Sequence, residues 1–270
     1  MPSMNAAENP DLANQIIDQV MSSTEELVEE FEAEINSPPD TVFDLPGGYV
    51  LIDGTVIQEV EVRELTGRDE EAIVKLRSPG ASMNETLKRG LIRLGETTPD
   101  ANVLEGLLAG DRDYIMLRIF AATFGSNTTA TRVCPSCAET VDIEVDILDD
   151  VPIKRLDAPS DRIFTVDCKV GPVQVTLPTG HTQKQLLEAG NKNIAELSTI
   201  LLASTVTSIN GLPVLGPQQI LDLPIRDRRK IAEEIGERNP GPQLADITKP
   251  CPSCEVDMEV PVSLAALFQF

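Results

Sequence analysis

Cys134-Pro135-Ser136-Cys137 returns, letter for letter, as Cys251-Pro252-Ser253-Cys254. A Cys-x-x-Cys turn brings two sulfurs within reach of one metal ion. A second such turn completes a tetrahedron, the closed geometry of a structural Zn²⁺ site. Read this way, Cys134, Cys137, Cys251 and Cys254 are the metal ligands, and no coordination position is left open for chemistry. Pro135 and Pro252 restrict the turn backbone in advance, so less chain entropy is lost when metal binds. Arg132 and Lys249 each stand two residues ahead of a knuckle. A cation there suits the net negative charge of four thiolates around one Zn²⁺. Two other readings stay open. A redox dithiol needs no distant partner, but no thioredoxin-like βαβ pattern surrounds either pair. An iron–sulfur cluster also takes four cysteines, so iron is the alternative metal. Many zinc knuckles place Gly directly after the second Cys, whereas Ala138 and Glu255 stand there in this chain.

The likeness spreads outward from the knuckles. CPSCAETVDIEVDI lies beside CPSCEVDMEVPVSL, and each runs into an alternating acidic and apolar strand, near 141–147 and 256–262. Upstream, GDRDYIMLRI from Gly110 matches IRDRRKIAEEI from Ile225, both reading as the first turns of a helix. Further back, LTGRDEEAIVKL from Leu65 matches PTGHTQKQLLEA from Pro178. The matching residues keep a nearly constant step of about 113 to 117 residues, which reads as an internal duplication. The fold class expected is α+β: two tandem hairpin-plus-helices modules, 41–150 and 151–270, joined by a shared tetracysteine, zinc-ribbon-like site and preceded by an acidic arm, 1–40. Two copies point to a pseudo-twofold pair rather than a solenoid.

At 270 residues the chain is long enough for one large or two modest cores. Trp is absent and aromatics make up 3 %, so packing leans on Leu, Ile and Val. The net charge of −22 disfavours direct nucleic-acid contact and anionic membrane surfaces. Five cysteines, four of them in paired knuckles, indicate a reducing compartment rather than a disulfide scaffold. Cys168 reads as a small core hydrophobe. No basic-then-apolar leader is seen, and no apolar run approaches the ~18 residues of a membrane span. The expected setting is a cytosol, or a particle assembled there.

Residues 1–40 hold ten acidic residues and no Lys or Arg. Ile16, Ile17, Val20, Leu27, Val28, Phe31 and Ile35 recur there at amphipathic-helix spacing, while the charge equally suits a solvated arm. The first module opens with Pro46-Gly47-Gly48 and a hairpin, 49–52 and 56–63, turning at Asp53-Gly54. Its counterpart is 163–170 and 173–177. Helices follow near 68–77, 84–94, 102–109 and 111–124, then near 182–190, 193–204, 217–223 and 226–237. Asp69 and Thr182 suit helix caps, and Asn210-Gly211 signals another hairpin. Residues 149–160 read as a linker.

Asp111-Arg112 and Asp227-Arg228 are the notable polar pair outside the knuckles, best read as helix-start capping and otherwise as a contact surface. His181 is the chain's one histidine, set at a helix start. With no Gly-x-Ser-x-Gly elbow, phosphate-cradling loop or mixed metal cluster, the sequence gives little basis for an enzyme, and no catalytic residue is assigned. The C-terminus carries Phe268 and Phe270, and so apolar an end is expected to be buried on the second module or in a neighbour.

A hairpin module, a Gly-Asp-Arg helix, a Cys-Pro-x-Cys knuckle and a second module with its own knuckle and a Phe-terminated tail together resemble the T4-type bacteriophage base-plate protein family, over roughly 43–270. The resemblance implies a non-enzymatic protein of the baseplate hub of contractile tails, or of its assembly, in phages and related injection particles. Its partners would be other baseplate, hub or tail-tube proteins, with Phe31, Phe268 and Phe270 as contact residues. Its location would be the bacterial host cytoplasm during assembly and then the tail baseplate. The alternative, from another class, is an intracellular zinc-ribbon adaptor that binds other proteins.

Overall fold

The computed structural model describes residues 41–76, 78–190 and 192–268. The acidic arm with Phe31 lies outside them, as does Phe270. The described residues form a mixed α and β fold within one compact unit.

The chain starts with β1 (Val42–Val50), β2 (Val56–Val62), α1 (Gly67–Val74), α2 (Pro79–Gly90), β3 (Leu91–Leu94), α3 (Ala101–Gly106) and α4 (Ala109–Phe124). The first knuckle follows between β4 (Asn127–Val133) and β5 (Thr140–Asp146). β6 (Ile153–Lys154) and a 3₁₀ turn at Pro159–Arg162 lead into β7 (Ile163–Cys168), β8 (Gly171–Thr176), α5 (Gly180–Glu188), α6 (Ile194–Thr205), β9 (Val206–Ile209), β10 (Leu212–Pro213), α7 (Pro217–Leu221) and α8 (Ile225–Arg238). β11 (Gly241–Pro242) pairs back with β6, and the second knuckle lies between β12 (Thr248–Pro250) and β13 (Asp257–Glu259), ahead of a last turn, α9 (Leu264–Leu267). The order hairpin, two helices, strand, short helix, long helix, knuckle hairpin therefore occurs twice.

The correspondence reaches strand register. In the sheet β1-β2-β3, β2 meets β3 as Val60↔Leu94, Glu61↔Arg93 and Val62↔Leu91, slipping one residue after Glu61. In β10-β9-β8-β7, β8 meets β9 as Val173↔Ile209, Gln174↔Ser208 and Val175↔Val206, with the same slip after Gln174. A bulge is a specific local choice of backbone, so finding it at matching places ties the two sheets closely together.

Local chemistry explains where helices start. Thr66 and Asp69 form a capping box on α1, the Asp69 carboxylate accepting the Thr66 N–H at 2.9 Å. Arg63 at 2.8 Å, with Arg89 at 3.1 Å, holds that carboxyl well below the usual carboxylate range. Ser78 accepts the Ala81 N–H ahead of Pro79, so α2 begins earlier than the sequence suggested, and it ends at Gly90. Residues 91–94, expected as helix, are a strand instead: Leu91 and Leu94 turn inward opposite Val62 and Val60, a pairing that a short apolar run cannot reveal. Thr182 makes no cap and is buried. Pro46-Gly47-Gly48 lies inside β1, where pairing to β2 breaks between Asp44 and Tyr49, rather than ahead of the hairpin.

Two cores result. One gathers Val166, Val173, Leu202, Ile220, Ile231 and neighbours, all from within 166–235. The other runs from Phe43, Leu45 and Val60 through α4 to Cys134 and β5, and is completed by Ile247, Cys251, Met258 and Val260 from the chain's far end. The contacts between halves are one-sided. α5 packs on α2, α3 and α4, whereas α1 makes no comparable contact with α6, α7 or α8. Among the described residues no helix is long and apolar enough to cross a membrane.

Candidate metal centre

Each knuckle is the tip of a two-stranded ladder, β4-β5 or β12-β13. The two tips share one hydrogen-bond pattern. Cys134 N–H donates to Glu139 O at 2.9 Å and Ala138 N–H to Cys134 O at 2.9 Å, while Cys251 N–H donates to Val256 O at 3.0 Å and Glu255 N–H to Cys251 O at 2.9 Å. Ala138 and Glu255 both have φ of 60°, the left-handed region that normally falls to glycine. Two non-glycine residues held there at matching places mark turns fixed by something stronger than local preference.

The ladders bring the four cysteines together. Cys134 Sγ lies 3.7 Å from Cys254 Sγ, and Cys137 Sγ lies 3.9 Å from Cys251 Sγ. All four sulfurs fall within 4.8 Å of one another. A tetrahedron with ~2.3 Å metal–sulfur bonds has edges of ~3.8 Å, so the spacing fits a four-thiolate ion. It is far beyond the ~2.05 Å of a disulfide, and all four thiols are free. Cys134 and Cys251 are buried, with Cys137 and Cys254 half-buried. Backbone N–H groups of Cys137 and Ser136 pull the Cys134 thiol down to about 6. The Glu139 backbone pulls Cys137 down as well, but burial and the other sulfurs outweigh it and leave that thiol high. One thiolate is therefore easy and the next difficult, which is the state a divalent cation relieves. Among the described residues this is the cluster of His, Cys, Asp or Glu side chains able to hold a metal ion.

The cations that precede the knuckles do other work. Lys249 pairs with Asp150 at 2.6 Å, and Arg132 donates to the Pro261 carbonyl at 2.7 Å. Both bonds join the first ladder's surroundings to the second, so they reinforce the junction from beside it rather than contacting sulfur.

The Asp-Arg pairs are not helix caps. Their helices have Leu108 and Pro224 at the N-cap, without side-chain caps. Asp111 reaches instead to the Gly47 N–H at 2.7 Å, and Asp227 to the Lys169 and Val170 N–H groups at 3.1 and 3.3 Å, so each long helix holds the hairpin of its own half. Burial pushes the Asp111 carboxyl up to about 7 despite that bond and the nearby Arg162. Arg112, 1 % exposed, donates through Nη1 to the Leu104 carbonyl at 2.6 Å and through Nη2 to Asn84. Arg228 donates through Nη1 to the Ile220 carbonyl at 3.2 Å and through Nη2 to Thr199 Oγ1 at 2.7 Å. The two arginines thus tie matching short helices to matching long ones. The sequence signal was the repeated dipeptide itself; the hairpin N–H groups that the two aspartates hold lie 57 to 64 residues away and left no mark at that spacing.

Phe268 packs edge-on against Phe120 at 5.5 Å, so the tail settles on α4 of the first half rather than on the second. His181 is exposed beside Gln185 and Glu105, a surface residue of α5.

The model of the T4 bacteriophage base plate protein family matches residues 40–269. The chain belongs to that family. No curated protein and no solved structure gives a significant match. The match to the base plate family takes in both knuckles, both Asp-Arg helices and the tail up to Gln269, and so covers every element described above.

Proposed function

We propose that this base plate protein is a non-enzymatic structural or assembly component of the hub of a contractile tail, in a phage or a related injection particle. Its four cysteines hold one structural Zn²⁺ that joins two tandem modules, 41–150 and 151–270. The family match supports the baseplate role. The observation that carries the rest is the sulfur cluster: four thiols from two chain-distant turns at tetrahedral spacing leave no open coordination position, which suits a staple and does not suit a Lewis-acid catalyst. The repeated bulge and the paired Asp-Arg clamps support the tandem reading. The arm through Phe31 and the tail through Phe268 and Phe270 are the proposed contact elements for hub or tail-tube proteins.

Quantitative mass spectrometry of purified tail particles, from cells expressing the whole gene cluster, tests the placement. A fixed ratio to hub proteins makes the chain a structural component. Presence only in the unassembled fraction, bound to hub proteins, makes it an assembly factor. Absence from both refutes the baseplate reading. Metal analysis of the purified chain tests the staple, with one zinc per chain expected and iron as the competing result.

A further inference from the structure

Within the chain, α5 docks on the first half through one stripe: Gly180, Gln183, Lys184 and Leu187, spaced as one helix face. Gly180 fits because a Cβ there would lie 2.6 Å from Arg112 Nη1 and 2.8 Å from the Leu104 carbonyl oxygen. Gln183 accepts from Arg112 Nε at 2.8 Å and donates to Asp113 at 2.7 Å. Leu187 covers Gly80, at the start of α2. A short backbone bridge completes the contact, with Ala109 N–H to Pro178 O at 2.9 Å and Gly180 N–H to Leu107 O at 2.8 Å.

Each side of this contact has a counterpart that meets nothing in the described chain. On α1 the matching stripe is Gly67, Glu70, Glu71 and Val74, all exposed, with Val74 75 % exposed. A Cβ on Gly67 would have no atom within 4 Å, so nothing in the described chain accounts for glycine at that place. In the second half, Arg228 repeats the Nη1 and Nη2 bonds of Arg112, yet among the described residues its Nε has no partner where Arg112 has Gln183. Arg229 stands at the place of Asp113, is exposed, and is unpaired among the described residues. At the place of Pro79, next to the seat of Leu187, Ile194 is 86 % exposed.

We propose that a second copy of this chain seats α1 on the face formed by α6, α7 and the start of α8, repeating between chains the contact that α5 makes within one. The proposal rests on the tandem-module reading given above. Chemistry selects the occupant. Where Gln183 bridges Arg112 and Asp113, a copy's Glu70 bridges Arg228 Nε and Arg229, and the carboxylate answers two cations where the amide answered one of each sign. Val74 covers Ile194, and the Ile220 carbonyl with Arg228 accounts for glycine at 67. The Lys184–Glu105 pair has no equivalent, since Glu71 and Leu221 stand in those places. Because donor and acceptor faces differ, the contact is heterologous: it repeats from copy to copy and ends in a ring or an open fibre.

Sedimentation velocity on the full-length, metal-loaded chain tests this, over micromolar to millimolar protein at low salt. Wild type should grow in size with concentration. Val74→Arg blocks the donor face and Ile194→Arg the acceptor face; both side chains stand in water, so neither change disturbs folding, and each should weaken association at least about tenfold. An equimolar mixture of the two variants retains one intact contact and should give a one-to-one dimer that grows no further. A wild type that stays monomeric throughout overturns the proposal, as does a variant that associates normally or a mixture that does not pair. None of these results bears on whether the chain is found in tails, so the baseplate reading stands or falls separately.

Discussion

Replacing Cys251 by Ser and removing metal with a chelator should have the same consequence, and only once. The junction closes a loop between residues 114 apart in sequence, Cys137 and Cys251. Closing so long a loop removes freedom from the unfolded chain worth (3/2)RT ln n, or about 4 kcal/mol. In urea titrations followed by circular dichroism, chelation should therefore cost the wild type about 4 kcal/mol of unfolding free energy. C251S should start lower by a similar amount and then show no further loss with chelator. Cys168→Ser is the control, since Cys168 stands on β7 away from the cluster and should leave zinc content and chelator response unchanged. The difference of differences matters because Cys251 is itself buried, and placing a hydroxyl there carries a cost of its own. A wild type indifferent to chelation, or a C251S chain that still loses stability on chelation, would refute the staple.

Ala138→Gly and Glu255→Gly should each stabilise the chain by about 1 kcal/mol in the same titration, because both positions are left-handed and a Cβ is costly there. Asp111→Asn should alter the pH profile. The folded-state pKa of about 7 lies above the ordinary 3.8, so the native chain keeps a proton that the unfolded chain releases, and this contribution to stability is fully present below about pH 4 and lost as pH rises through 7. The asparagine, which keeps the bond from Gly47, should remove a fall of order 4 kcal/mol across that window, seen as a flatter plot of unfolding free energy against pH. Gly110→Ala should cost on the order of 3 kcal/mol, because the new methyl would lie 1.6 Å from the Pro240 carbonyl oxygen, and Ala in place of exposed Gly236 in α8 is the comparison that should cost nothing.

What was legible in the sequence was whatever repeats. The four cysteines, both knuckle strands and the long helices announced themselves through matched words at a nearly constant step, the hairpins through their turn residues, and the structure brings the four sulfurs together as the paired knuckles suggested. What was hidden depends on partners that lie far off in sequence. β3 could not be told from the end of a helix, because Leu91 and Leu94 reveal a strand only against Val62 and Val60. The Asp-Arg pairs looked like caps because local chemistry offers that use first; the bonds to Gly47 and to Lys169-Val170 outcompete it by satisfying backbone groups that the hairpins leave unpaired. The one-sided docking of α5 was invisible for the opposite reason: both stripes carry glycine, polar and apolar residues at the same spacing, and which of them docks depends on what each faces.

That asymmetry bears on why the junction sits where it does. The second core draws on residues 166–235 alone and closes from local material. The first core lacks cover over β5 and α4 until Ile247, Met258 and Val260 arrive from the end of the chain, and Phe268 then seals Phe120. Non-local closure of that kind has to overcome loop entropy before its apolar contacts repay it. The metal ion proposed for the four cysteines would supply a bond much stronger than packing at that meeting point, at the tips of the ladder already in place and of the ladder that the chain's far end brings. Burial alone completes the second core. In the first, the same apolar chemistry acts only after the chain's far end has been brought back, which is where the cysteines are placed.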